Sequence, residues 1–376
     1  MFRWRRCSDS QRGNLNVNQG RTFNMGQRRF SQIVGISFAF MLLGSIVWGV
    51  HSVIKTAIAA QSTATLCLTV APESMRCYPN ETILATQPTT AIATDPSGQL
   101  LVSSNQATVD VWDLARSQRV RSLKGHSQWV TDLVISPNGQ TLASGSLDGT
   151  INLWNLATGE LQGTLPAEQV SVLAFSPDGT TLASGSRFVR AVGAKVFHPI
   201  QLWDVATGQR LTTIEVREPV TAIAFSPDGQ RLAFGTTKAS VWDLSTQQLS
   251  HTVDSGDLNA LIFSVDGELL LTGSDGIQGE DGIKFWTADS GNLVRVLDSV
   301  AADFALSPDG TLLLTTYGGT ANVWRMQPFG YLGTLRGSTY SGLVAEFGLG
   351  GTAIATGSSD GVKVWLPSPT APRRLR

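Results

Sequence analysis

Two strings in the chain carry the spacing of catalytic devices. Gly357-Ser358-Ser359-Asp360-Gly361 satisfies G-x-S-x-G, the pattern that raises a nucleophilic serine on a strand-to-helix elbow. Gly348, Gly350 and Ala353 satisfy G-x-G-x-x-A, which cradles a pyrophosphate where a strand gives way to a helix. Both chemistries need the helix, and neither string has one after it: a short apolar strand pattern comes instead. The four histidines, His51, His126, His198 and His251, give no pair with metal-ligand spacing. Acidic residues fall mainly in turns, where aspartate caps backbone groups. No catalytic residue, metal or cofactor is expected. Asn80-Glu81-Thr82 is a glycosylation sequon, relevant only in a eukaryotic secretory pathway.

The elements behind these strings set their meaning. The chain has 376 residues, enough for two average domains or one large all-β domain. Its 38 glycines and ten tryptophans suggest short strands punctuated by turns, with an aromatic recurring on each unit. Net charge is −1, but residues 1–61 hold eight basic side chains and one acid, so the rest carries −8. A body of that sign argues against sequence-independent binding of nucleic acid.

Residues 33–50, IVGISFAFMLLGSIVWGV, contain no charge. As a helix they would be about 27 Å long, close to the ~30 Å hydrocarbon core of a bilayer. Seven arginines precede them and only Lys55 follows closely, which places the N-terminus in the cytoplasm and the remainder outside. Residues 33–54 are therefore expected to span the membrane as a signal anchor. The alternative is a cleaved signal peptide, with a site near Ala57-Ile58-Ala59 and translation from Met25 giving a shorter basic leader. Cys67 and Cys77 come next, with nine residues between them. A disulfide between them suits an oxidising compartment and would be worth about 3 kcal/mol by loop entropy. The expected organisation is a basic cytoplasmic leader (1–32), the span (33–54), a linker (55–80), a β domain (81–368) and a Pro/Arg tail (369–376).

The β domain is a repeat. AFSPDG occurs at 174–179 and again at 224–229, and related turns put glycines at 98, 139, 179, 229, 267, 310 and 351. Each turn is followed by a strand with a tryptophan: Trp112, Trp154, Trp203, Trp242, Trp286, Trp324 and Trp365. In 130–165 the pattern gives four strands separated by Ser-Pro-Asn-Gly, Asp148-Gly149 and 157–160. One such sheet has exposed edges and faces, and seven arranged in a ring cover them. The last unit lacks a fourth strand, and TILATQP at 82–88 matches that position, so Thr82–Thr86 is expected beside 362–366.

The segment KGHSQWVTDLVISPNGQTLASGSLDGTINLWNL resembles a WD repeat, and Trp112-Asp113, Trp203-Asp204 and Trp242-Asp243 carry the dipeptide itself. The resemblance covers roughly 81–366 and implies an all-β, seven-bladed WD-repeat β-propeller, here preceded by one N-terminal transmembrane or signal helix. It also implies a buried hydrogen-bond network of His126, Ser144 or Ser146, Asp148 and Trp154. Asp281 and Asp360 match in part. The remaining units lack the histidine, so packing is expected to replace the network in most blades.

The turn glycine and the tryptophan are 13 to 15 residues apart in five units, but 24 apart from Gly179 to Trp203 and 19 apart from Gly267 to Trp286. Both insertions fall between the second and third strands and project from one face. The first carries Arg187, Phe188, Arg190, Lys195, Phe197 and His198. The second carries Asp275, Glu280 and Asp281. Trp129 lies in a blade-connecting loop on the same face. These residues are candidates for binding a protein or peptide partner. The resemblance implies a noncatalytic scaffold or recognition module outside the cytoplasm. The alternatives are a propeller hydrolase or lyase, which needs carboxylates converging on the central channel with room for a metal, and a ligand-sensing or structural envelope ectodomain.

Overall fold

The turn that recurs through the sequence is a hydrogen-bonded clamp. Ser176 Oγ donates to Asp178 Oδ1 (2.5 Å) and accepts from Thr181 N (2.9 Å), while Asp178 Oδ1 also accepts from Thr180 N (3.0 Å). Gly179 completes the turn at φ 72°, a conformation that a side chain would strain. The same serine-to-Asx bond recurs at Ser136, Ser226, Ser264 and Ser307. Each clamp also touches its neighbour, with Pro137 against Gly179 and Pro177 against Gly229. The repeated hexapeptide thus fixes both a hairpin and the approach of the next one.

The computed structural model describes residues 66–71, 74–78, 81–187, 190–192, 195–274, 282–338 and 343–367. The chain divides into two units, Met1–Ser62 and Thr63–Arg376. The leader and the expected span at 33–54 lie outside the described residues, and no helix among those described is long and apolar enough to cross a membrane.

Seven four-stranded antiparallel sheets make a propeller. Blade two is typical: Val130–Ile135, Thr141–Ser146, Thr150–Asn155 and Leu161–Pro166, in order from the centre outward. The innermost strands of the others are Ile92–Thr94, Val172–Phe175, Ala222–Phe225, Ala260–Phe263, Asp303–Leu306 and Val344–Gly348. Each lies beside the next, and the last returns to the first. Glu81–Ala85 pairs antiparallel with Gly361–Trp365, Thr82 opposite Val364, so a strand from the start of the domain completes the seventh blade. The expected strand is there, one residue earlier than its sequence bounds.

The core lies between blades. Trp154 of blade two packs with Val102, Val111 and Leu123 of blade one, and Trp203 of blade three with Ile151, Leu153 and Leu165 of blade two. All seven repeat tryptophans wedge against the preceding blade in this way, Trp112 against blade seven. The indole is wide enough to fill the gap that opens between radiating sheets, and its N–H needs a partner once buried. In five blades a strand hydroxyl supplies it: Ser103, Ser144, Ser184, Thr272 and Thr315 accept from Trp112, Trp154, Trp203, Trp286 and Trp324 at 2.9–3.0 Å. This corrects the expectation that most blades dispense with the network. They lose its histidine and keep the indole–hydroxyl bond.

Residues 66–78, expected as linker, contain a hairpin of Leu66–Ala71 and Ser74–Tyr78. Tyr78 is 2% exposed and joins the core between blades six and seven.

Blade seven departs from the rule in a testable way. Thr356 holds the hydroxyl position, is buried, and its Oγ1 has no hydrogen-bond partner. Removing the acceptor at a satisfied site, Ser184→Ala, strands the Trp203 N–H and should cost about 1–3 kcal/mol in chemical denaturation. Thr356→Val removes an unpaired oxygen at nearly constant volume and should leave stability unchanged or raise it.

Candidate functional site

The face bearing the blade connectors is knitted to the turns between second and third strands. Leu147 N donates to Trp129 O (3.1 Å), Val170 N to Ser146 O (3.3 Å) and Val220 N to Ser186 O (3.1 Å). Insertions at those turns therefore rise beside the connectors, on one face. Trp129 is 50% exposed there although its carbonyl is engaged. Arg187 is exposed at the mouth of the central channel, where its Nη2 donates to Thr221 O (3.4 Å) and its backbone N to Ser171 Oγ (2.9 Å). Thr131, two residues beyond Trp129, lines the same mouth.

The rest of the first insertion forms a small hairpin, Arg190–Val192 paired with Lys195–Phe197. Phe188 lies outside the described residues, as do the side chains of Arg190 and Lys195. Phe197 is half-buried. His198 is not presented at the surface as expected: it is 3% exposed, and its backbone N donates to Val216 O (2.7 Å). It stands just before the third strand, so the sheet edge draws it inward. Asp275, Glu280 and Asp281, the acidic residues of the second insertion, lie outside the described residues.

The structure assembles His126, Ser144, Asp148 and Trp154. His126 Nδ1 meets Asp148 Oδ2 at 3.0 Å, its Nε2 meets Ser144 Oγ at 2.8 Å, and Trp154 Nε1 donates to Ser144 Oγ at 2.9 Å. One tautomer satisfies all three: Nδ1–H donates to the carboxylate and Nε2 accepts from the serine. Burial pushes the Asp148 carboxyl up, but bonds from Thr150, Ser127 N and His126 outweigh it and hold it below the usual range. Ser146, the other candidate hydroxyl, instead donates to Gln128 O (3.2 Å). In blade seven Ser338 stands in for the histidine, with its Oγ donating to Asp360 at 3.0 Å.

The central channel holds three acids that the sequence did not single out. A cavity of about 470 Å³ is lined by Asp132, Asp303, Glu346 and Arg187 among smaller residues. Asp132 and Asp303 occupy the same register in blades two and six, opposite Gly145 and Thr316 of the second strands. Both do the same work. Asp132 Oδ2 accepts from Leu173 N of blade three (2.6 Å), and Asp303 Oδ2 from Ala345 N of blade seven (3.3 Å). Their other oxygens accept from Leu133 N (2.8 Å) and Phe304 N (2.9 Å). The carboxylates the hydrolase alternative requires do converge, but two spend both oxygens on backbone amides. No group of three or more His, Cys, Asp or Glu among the described residues is arranged to hold a metal.

These acids are open only to the lumen and hemmed in by protein, and the enclosure governs their titration. Burial raises Asp303 to about 6 despite its two amide bonds. It raises Asp132 to about 7, with the amides and Arg187 opposing and Asp303 adding repulsion. Glu346, with repulsion from Asp303 and Asp132 added to burial, is raised to about 8.

The WD domain, G-beta repeat family matches at 117–155, 159–187, 208–243 and 244–277. The chain is a seven-bladed β-propeller, and over these four stretches it is similar to WD repeats. The four matches fall in consecutive blades whose turns keep the regular pattern, and the propeller continues the same architecture through all seven. It is also similar to proteins named guanine nucleotide-binding protein subunit beta, 27% and 28% identical in two subspecies of Oryza sativa and 26% in Zea mays. Each match covers 72% of this chain and 78% of the relative. The propeller is thus distantly related to G-protein β subunits, and WD-repeat propellers of this kind are generally noncatalytic and bind proteins.

The channel titration predicts how the propeller responds to pH. A raised folded pKa means that stability is fully present below the unfolded value, about 4, and is lost as pH rises through the folded one. Melting temperature should fall between about pH 5 and pH 8. Glu346→Gln should make the fall shallower throughout and flatten its most alkaline part, raising the midpoint at pH 8 and leaving it nearly unchanged at pH 5, as read by circular dichroism.

Proposed function

We propose that this propeller is a noncatalytic recognition module that binds a protein or peptide partner on the face bearing the blade connectors and the second-to-third-strand insertions. The observation that carries the reading is the coincidence on one face of an exposed indole, Trp129, in a blade connector and an exposed guanidinium, Arg187, at the channel mouth. Tryptophan and arginine are the side chains most often found as anchors in interfaces, because each buries a large area with few rotamers or several donors. Relatives named as subunits of a guanine nucleotide-binding protein work within an assembly, which agrees with a scaffold role. The 187–198 insertion, including Phe188, Arg190, Lys195 and Phe197, would extend the contact, and Asp275, Glu280 and Asp281 would form its acidic counterpart. His198 supports the loop from beneath.

The propeller is held outside the cytoplasm, periplasmic or extracellular, by residues 33–54, or released there after cleavage near Ala59. The uncharged run and the arginines before it support this placement. Protease added to spheroplasts or to cells without an outer membrane should then digest the anchored propeller while sparing a tag fused to Met1.

Partners captured by the wild-type chain should be lost when 187–198 is deleted, and capture should weaken roughly tenfold or more for Trp129→Ala, with circular dichroism unchanged. Equal capture by all three proteins would contradict the assignment of this face.

A further inference from the structure

We propose that Cys67 and Cys77 form a cross-strand disulfide that staples the hairpin before the propeller and, through Tyr78, holds the ring's closing strand in place. The two cysteines are direct register partners between Leu66–Ala71 and Ser74–Tyr78. Residues opposite one another in an antiparallel pair have Cα atoms about 4.5–5.5 Å apart, within the ~4.4–6.8 Å span of a disulfide. A random placement of two cysteines on this hairpin would seldom align them, and a shift of one residue would send them to opposite faces.

The neighbouring residues give the staple its purpose. Tyr78 comes next after Cys77 and is buried among Leu312, Leu314 and Leu335 of blade six and Phe347 and Trp365 of blade seven. Its hydroxyl donates to Thr352 O (3.0 Å), in the turn of the last blade. Three residues on, Glu81 begins the strand that closes the ring. On the other side, Leu66–Ala71 lies against Gly330–Arg336, the outer strand of blade six. An isolated two-stranded hairpin is marginal in water. Cross-linking the strands removes open conformations that would pull Tyr78 from its seam and loosen the strand behind it.

The reaction is thiol–disulfide exchange with a small-molecule or protein disulfide as oxidant. One cysteine thiolate attacks the oxidant's sulfur and expels a thiolate, and the second cysteine then attacks the mixed disulfide and expels the other. The cysteines lose two electrons and two protons, and the oxidant leaves as two thiols. The bond persists in an oxidising compartment, and its test in defined redox buffers reads out independently of where the propeller resides.

The test uses the full chain carrying Cys7→Ser, equilibrated with oxidised or reduced glutathione. In the oxidised buffer Cys67 and Cys77 should resist alkylation under denaturing conditions, with an intact mass lower by two hydrogens. The melting midpoint should rise by about 5 °C over the reduced form. Tyr78→Ala should remove most of that redox difference, and Tyr78→Phe should keep it. Alkylation of both cysteines in the oxidised buffer overturns the bond. A bond that forms without moving the midpoint, or a shift that survives Tyr78→Ala, overturns its role in closure. Should Tyr78→Ala fail to fold, alkylation and melting of the chain with Tyr78 intact decide the matter.

Discussion

A four-stranded sheet has two edges and two faces, and water satisfies only what it can reach. The propeller depends on closing its ring so that every blade has a neighbour on both faces. Glu81–Ala85 achieves this by joining Gly361–Trp365, so the first and last segments of the domain share one sheet. The inner wall closes as well: Thr94 Oγ1 donates to Phe347 O (2.6 Å), and Leu349 N to Gly98 O (2.8 Å), both between blades one and seven. Without these contacts the blade-seven tryptophan, the Tyr78 seam and the packing of Trp112 against blade seven would lose a wall.

Given closure, the seams differ in chemistry. Every seam has a tryptophan wedge. Several add a hydroxyl latch: Thr90 Oγ1 to Val130 O (2.8 Å), Thr131 Oγ1 to Val170 O (2.7 Å) and Thr316 Oγ1 to Leu343 O (2.7 Å). Two add a carboxylate clasp from the channel side. An ionised aspartate accepts an amide N–H more strongly, yet in this enclosure the cost of burying the charge prevails, with repulsion from Asp303 added for Asp132 and from both aspartates for Glu346, and all three are raised. Glu346 has no amide to offset burial and so takes up its proton first, which spares Asp132 and Asp303. The irregular features of the connector face sit on this scaffold without carrying it.

Most of the fold was legible because its signal is local and repeated. The Ser-Pro-Asp-Gly clamp is written in consecutive residues, and the tryptophan comes after it at a nearly fixed distance, so seven imperfect copies still declare themselves. The closing strand was legible by subtraction, since the last unit lacked a partner. The channel acids were not, because Asp132 reads as one polar residue in an alternating strand. Only the register shows that Ala91, Val172, Ala222, Ala260 and Val344 occupy its place elsewhere and that Asp303 repeats it. Tyr78 was hidden in a stretch with no repeat pattern to assign it a neighbour. His198 misled because an insertion between strands reads as surface, while its final residues already belong to the sheet. The indole–hydroxyl bonds were undervalued because the histidine draws the eye and is the dispensable member.

If closure is the central constraint, the closing strand and its partner must open together and rarely. Native-state hydrogen exchange of the full chain measures this directly. Amides of Glu81–Ala85 and Gly361–Trp365 should share one opening free energy, close to that of global unfolding. Rapid exchange of Glu81–Ala85 at a free energy well below that of the other outer strands would mean that the ring stands without its clasp, and would contradict the account.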